Sequence, residues 1–253
     1  MSSFLFNLFS GITLPLSLPG TLYAQAECDP EVTVGIYFAQ GNAAYAVEDY
    51  VQALADYTCA VEISPEYVTA YYERGRVHYE LRNYKQAIAD YTKAIELGLH
   101  STDIYVWRGN AYGRLEEHDL AFNDYHYAIR IGKQNPLAYV GRGNIYAERG
   151  LYEEAIADYT YAIELDPDYA DACYNRGNAF SDIEDCHRAV INYTLSIERD
   201  PELSSAYYNR GLAYFELEDY RAAIHHINVY WARRCKVSVV TWNSLERRLT
   251  LML

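Results

Sequence analysis

Residues 139–167 read YVGRGNIYAERGLYEEAIADYTYAIELDP, and what this stretch repeats decides the fold. Tyr139, Gly143 and Tyr146 stand four and three residues apart, which puts them on one face of a first helix. Tyr152, Ala155, Tyr159 and Ala162 follow the same rule and predict a second helix. Pro167 closes that helix, since proline carries no N–H to continue the ladder.

The stretch recurs. Arg-Gly stands at Arg74-Gly75, Arg108-Gly109, Arg142-Gly143, Arg176-Gly177 and Arg210-Gly211, always 34 residues apart, and Gly41 lies one period earlier. Six units follow: 34–67, 68–101, 102–135, 136–169, 170–203 and 204–237. With each unit numbered 1 to 34, the columns are regular. Position 4 is Tyr37, Tyr71, Tyr105, Tyr139, Cys173 and Tyr207. Position 20 is Ala53, Ala87, Ala121, Ala155, Ala189 and Ala223. Position 24 is Tyr57, Tyr91, Tyr125, Tyr159, Tyr193 and then Ile227. Small residues at 8 and 20 let two helices approach, and rings at 4, 11, 17 and 24 fill the space beside them. These columns account for the excess of tyrosine, 28 residues against 7 Phe and 3 Trp. Gly75, Gly109, Gly143, Gly177 and Gly211, with Ala87, Ala121, Ala155 and Ala189, are therefore read as structural anchors. One helix pair cannot bury its apolar faces alone, but stacked pairs can.

The pattern aromatic-x-x-x-Gly-x-x-Tyr … Tyr-x-x-Ala-Ile-x-x-Tyr-x-x-Ala-Ile-x-Leu-x-Pro resembles the tetratricopeptide repeat family over about 34–230. The resemblance implies an all-α, right-handed superhelical solenoid of about six 34-residue helix-turn-helix repeats. It further implies that the first helices line a concave groove in which partner peptides lie. Two departures stand at the ends: Gln40 replaces the usual Arg, and the sixth unit loses its columns after Ala223.

Arg at position 7 borders the apolar seam, where a charge needs a partner. Asp56, Asp90, Asp124 and Asp158 stand at position 23. The expectation is that each Arg crosses to an acid of its own or the next unit, because a guanidinium binds a carboxylate bidentately. The competing reading lays Arg stems over Tyr rings with the heads in water.

Outside the array the chain divides into 1–26, an apolar leader; 27–33, a short linker; 34–232, the repeats; and 233–253, a basic tail or cap. The leader carries no charge and ends in Ala24-Gln25-Ala26, which resembles a secretory signal peptide, although its start lacks Lys and Arg. Export to a periplasm or beyond is favoured. A cytoplasmic tail is the alternative, and a membrane tether applies only if the leader stays uncleaved. Pro15, Pro19 and Gly20 disfavour a spanning helix. Five cysteines at irregular spacing are not a disulfide framework and read as ordinary thiols, with a Cys28–Cys59 bridge reserved for an exported chain. Leu245–Leu253 reads as a short basic amphipathic cap or as a segment for an anionic surface, and a truncated or frameshifted end is a third reading.

No P-loop, HExxH, GxSxG or dinucleotide fingerprint occurs, and the seven histidines share no column, so neither catalysis, nor a cofactor, nor a metal is expected. A net charge of −14 argues against nucleic acid. The Asn192-Tyr193-Thr194 sequon falls in a core column and is read as structural. What is left is a surface. Positions 5, 9 and 12 face away from the seam and supply groove candidates Tyr72, Arg76, Tyr79, Asn110, Asn144, Tyr174, Asn178 and Tyr208. Chaperone-binding members of the family hold a terminal carboxylate with Lys, Arg and Asn. Asn144 with Asn175 and Asn178 with Asn209 resemble the amide half, but no Lys or Arg fills positions 2, 5 or 6, so that activity is not expected. The reading is a non-catalytic scaffold for a basic or neutral partner segment. Its alternatives are a docking or regulatory subunit of a glycosyltransferase- or peptidase-type system, and a self-assembling array.

Overall fold

The computed structural model describes residues 28, 29 and 31–236, and all of the described regular structure is helical. The leader and the Leu245–Leu253 cap lie outside the described residues. Helices come in pairs: α1 (Val34–Ala46) with α2 (Tyr50–Ile63), α3 (Val68–Glu80) with α4 (Tyr84–Glu96), and α5 (Thr102–Arg114) with α6 (His118–Ile131). Three more follow: α7 (Pro136–Glu148) with α8 (Tyr152–Leu165), α9 (Ala170–Asp182) with α10 (Cys186–Arg199), and α11 (Ser204–Glu216) with α12 (Tyr220–Arg234). Each helix packs on its neighbours in the chain. The odd-numbered helices also touch one another along the stack from α3 to α11. Contact on that side alone curves the stack toward it, so the first helices of the pairs line the concave face.

The core is a row of seams, one helix layer after the next. The alanines of position 20 are all buried. The glycines of position 8 are required by the tyrosine rings of position 24: a Cβ on Gly41, Gly75, Gly143 or Gly177 would stand 2.6–2.8 Å from a ring carbon of the Tyr sixteen residues on. Close approach is therefore ring on backbone, rather than backbone on backbone. Two buried columns escaped the sequence reading. Position 3 (Ala70, Ile104, Ala138, Ala172, Ala206) and position 10 (Val77, Ala111, Ile145, Ala179, Ala213) face the preceding unit and are buried in every unit that has one.

Between the two helices of each pair the chain reverses through a left-handed residue. It is Gly150 in the fourth unit and Glu48, Arg82, Glu116, Glu184 and Glu218 in the others. Asp49, Asp185 and Asp219 accept a backbone N–H in the first turn of the following helix, which caps it. α12 runs to Arg234 although its columns are lost, because Ile227, Tyr230 and Ala232 still supply its buried side.

The cysteine expectation is corrected at two positions. Cys28 and Cys59 form a disulfide that ties the segment before α1 to α2, while Cys173 is buried, Cys186 half-buried and Cys235 exposed. This is the bridge that the sequence reading reserved for an exported chain; spacing alone does not establish it, since only the fold brings residues 31 apart together.

Candidate protein-binding groove

Two cross-helix networks shape the concave face. The first belongs to the arginine column. In Arg74, Arg108 and Arg142, Nε–H and Nη2–H donate to both oxygens of Asp90, Asp124 and Asp158, at 2.8 and 2.7 Å. These are the bidentate pairs expected, each within its own unit. The rings of Tyr71, Tyr105 and Tyr139 also lie beside the same guanidiniums, but the heads are held by buried carboxylates instead of water, so the competing reading fails in these units. In the last two units the acid is replaced: Arg176 donates to Asn192 Oδ1 at 2.7 Å, and Arg210 contacts His226 Nδ1 at 3.2 Å. Asn192, the sequon residue, is thus buried and occupied. The pKa directions follow. Burial opposes the charge of Arg74 and Arg108, but the paired carboxylate outweighs it and raises both. At Arg176 and Arg210 no carboxylate is hydrogen-bonded, Glu164 and Glu198 act only at a distance, and burial pulls both down. In unit one, where Gln40 stands in place of Arg, buried Asp56 accepts only from Gln52, and burial raises its carboxyl.

A third hydrogen bond carries the arginine into the unit before it. Arg108, Arg176 and Arg210 each donate to Thr92, Thr160 and Thr194 at 2.9–3.1 Å. The column is therefore a stitch between units as well as within them.

The second network reaches the groove. The hydroxyls of Tyr57, Tyr125, Tyr159 and Tyr193 donate to Oδ1 of Asn42, Asn110, Asn144 and Asn178 at 2.6–2.9 Å. Asn175 and Asn209 donate to the same oxygens of Asn144 and Asn178. With Oδ1 held, each of these amides keeps its NH₂ free of the tyrosine. The asparagines stand at position 9 of units one, three, four and five, with Arg76 and Leu212 in units two and six, and the tyrosine partner is a reason for the column that sequence spacing alone did not show.

The other candidates are partly spent on the fold. Arg76 bonds Glu73 and Tyr45 and lies over the Tyr45 ring, 4.6 Å from its centroid. Tyr79 packs on Tyr84 and Trp107 and accepts from Arg114. Tyr72 and Tyr174 lean on Tyr91 and Tyr193 and are half-buried. Burial pushes the Tyr72 phenol up to about 12. Tyr208 rests on Tyr230 at 5.0 Å and is more exposed. The face of unit two is thus filled by its own rings and Arg76, whereas the face between units three and four stays open where Gly113 occupies position 12.

That opening is a cavity of about 430 Å³ which brings together Tyr79, Asn110, Tyr125, Val140, Asn144 and Glu148. Gly141 is needed beside it, since a Cβ there would sit 2.4 Å from the Tyr125 ring. Glu116, Glu117, Asp119 and Glu148 stand on an adjoining cavity, where His118 pairs with Glu148 at 2.9 Å and Arg149 pairs with Asp119. Tyr174, Asn178 and Tyr208 lie further along the stack and do not join the cavity.

Profiles described as tetratricopeptide repeat match residues 37–103 and 204–228, and one described as TPR repeat matches 143–183. No curated protein sequence matches the chain. Among solved structures it is similar to YrrB, described as a TPR protein with an unusual peptide-binding site. That match has 28% identity and a TM-score of 0.57 over 67% of this chain and 88% of that one. It is also similar in fold to MamA, at 22% identity and a TM-score of 0.59, over 68% of this chain and 94% of that one. PilW, a type IV pilus biogenesis factor, aligns at 17% identity and a TM-score of 0.71, over 81% and 94%. The profiles fall within the array that the structure displays as stacked helix pairs, and the chain belongs to the tetratricopeptide repeat family.

Proposed function

We propose that this protein-interaction scaffold, itself non-catalytic, holds an extended segment of another protein along the concave face, centred on units three and four. The observation that carries the reading is the pair Asn110 and Asn144: both line an open cavity, and tyrosine hydroxyls hold their oxygens, which leaves their NH₂ groups for a ligand. Pre-set amide donors suit the carbonyls of an extended chain, and a rigid frame lowers the ordering cost of binding. Arg114 and Glu148 both line the cavity, and the further carboxylates of Glu116 and Glu117 beside it tip the balance toward a basic or neutral segment. The similarity to YrrB supports a peptide as the ligand class.

Asn110→Asp with Asn144→Asp tests this. Aspartate keeps the oxygen that the tyrosine hydroxyl needs and replaces the donor by an acceptor. On an array of overlapping neutral, basic and acidic peptides, the wild-type chain should hold neutral and basic members, and the double variant should lose at least about tenfold in affinity. Unchanged affinity in a variant with the wild-type melting curve would overturn the groove reading.

With this goes a proposed location outside the cytoplasm. Its support is the small-x-small pattern before Glu27 together with the Cys28–Cys59 bond, since disulfides persist in oxidising compartments.

A further inference from the structure

A repeat array has two ends, and here both are apolar. Ile36 holds position 3, which is buried in every later unit, yet it is 49% exposed; Val47, at the far end of the same helix, is 75% exposed. At the other end Phe215, Tyr220 and Ile224 hold positions 12, 17 and 21. Their counterparts in units two and four are half-buried under the following unit, while these three are more than half exposed. Finished solenoids cover such ends with a polar face.

The two ends are also opposite in charge. Unit one, 34–67, holds five acidic residues and no Lys or Arg. Unit six, 204–237, holds Arg210, Arg221, Arg233, Arg234 and Lys236 against Glu216, Glu218 and Asp219, and from Tyr220 onward it holds no acid. Arg233 is paired with Glu202, while Arg221 and Lys236 are exposed. Residues 237–253 add two arginines against one glutamate, so charge does not favour them as the cover for a basic end. It favours an acidic one.

The internal seams say how such a cover would sit. Position 14 of one unit lies over position 21 of the unit before, as Arg149 does over the Phe122 ring at 5.0 Å. Position 6 meets position 12, as Trp107 meets Tyr79 at 5.3 Å. In the same register, unit one of another copy would set Val47 on Ile224 and Ala39 on Phe215, with Glu48 near Arg221. We propose that the chain associates head to tail, the first unit of one copy stacking on the sixth unit of another as a seventh repeat. Such an interface is heterologous, so it extends instead of closing at a dimer.

Sedimentation velocity of the full chain over a concentration series tests this, with no partner peptide present. The average mass should rise with concentration, and less steeply at high salt. Val47→Glu blocks only the head and Ile224→Glu only the tail. Both sites are exposed, so folding is spared, and circular dichroism checks that. Either variant alone should be monomeric, with association weakened about tenfold or more. Mixed, the two should form a one-to-one dimer and nothing larger. A monomeric wild type at every concentration overturns the proposal, pointing instead to a cover within the chain. So does association that survives Val47→Glu but not Ile224→Glu, which would mean tail-to-tail pairing, and so does a mixture that stays monomeric.

Discussion

Tyr91 and Tyr159 fill the same column in units two and four, and their hydroxyls meet different surroundings. Tyr159 donates to Asn144, whereas the buried Tyr91 hydroxyl has no hydrogen-bond partner, because Arg76 replaces asparagine at position 9. The same substitution should therefore have two outcomes. Tyr159→Phe deprives Asn144 of a donor and should cost about 1 kcal/mol. Tyr91→Phe removes an orphaned polar group and should be neutral, or stabilising by up to about 1 kcal/mol. Urea midpoints of the two variants check this, and equal losses would reject it. At this scale the sequence was legible in its columns but silent on their pairing. Tyr159 and Asn144 belong to different helices, and spacing along one helix cannot show what faces it across a seam. For the same reason the arginine pairs with Asp90, Asp124 and Asp158 could be anticipated from charge, while Asn192 and His226 as their substitutes could not.

Each element is a helix pair, and the sixth differs from the rest in what faces its arginine. His226 is pushed down to about 4 by burial, by Arg210 and by His225, with Asp219 opposing, and Tyr214 stacks on its ring. A histidine held neutral in the fold and titrating near 6.5 when unfolded stabilises fully above about pH 6.5. That contribution is lost as the pH falls from about 6.5 toward 4. The protection factors of α12 amides should therefore fall on acidification before those of α8 do. His226→Asn restores the residue type of unit five and should flatten that response. A wild-type α12 as protected at pH 4.5 as at 7 would contradict it. The helix boundaries themselves were readable, since Pro65, Pro167 and Pro201 and the periodicity mark them. The persistence of α12 beyond its columns was not, because burial tolerates Ile227 and Tyr230 where the repeat has Tyr and Ala.

For the whole molecule, the leader and the disulfide make a joint prediction. If the chain is exported, protein from its native cells should begin at Glu27 and weigh two hydrogens less than its residues require, the deficit vanishing on reduction. N-terminal sequencing with intact-mass measurement checks this; a start at Met1 or Ser2 with reduced thiols would withdraw the extracytoplasmic location. By itself the sequence determined the repeat length, the helix pair as the unit and the small and aromatic columns that let pairs stack. Those properties depend on residues near one another in the chain, or one period apart, so periodicity exposes them. Only the tertiary structure decided which columns face the preceding unit and that Cys28 meets Cys59. It also decided that unit two fills its own groove and that the opening lies at Gly113. These depend on how successive layers sit on each other, and a one-dimensional pattern has no record of the side chain that arrives from the next layer.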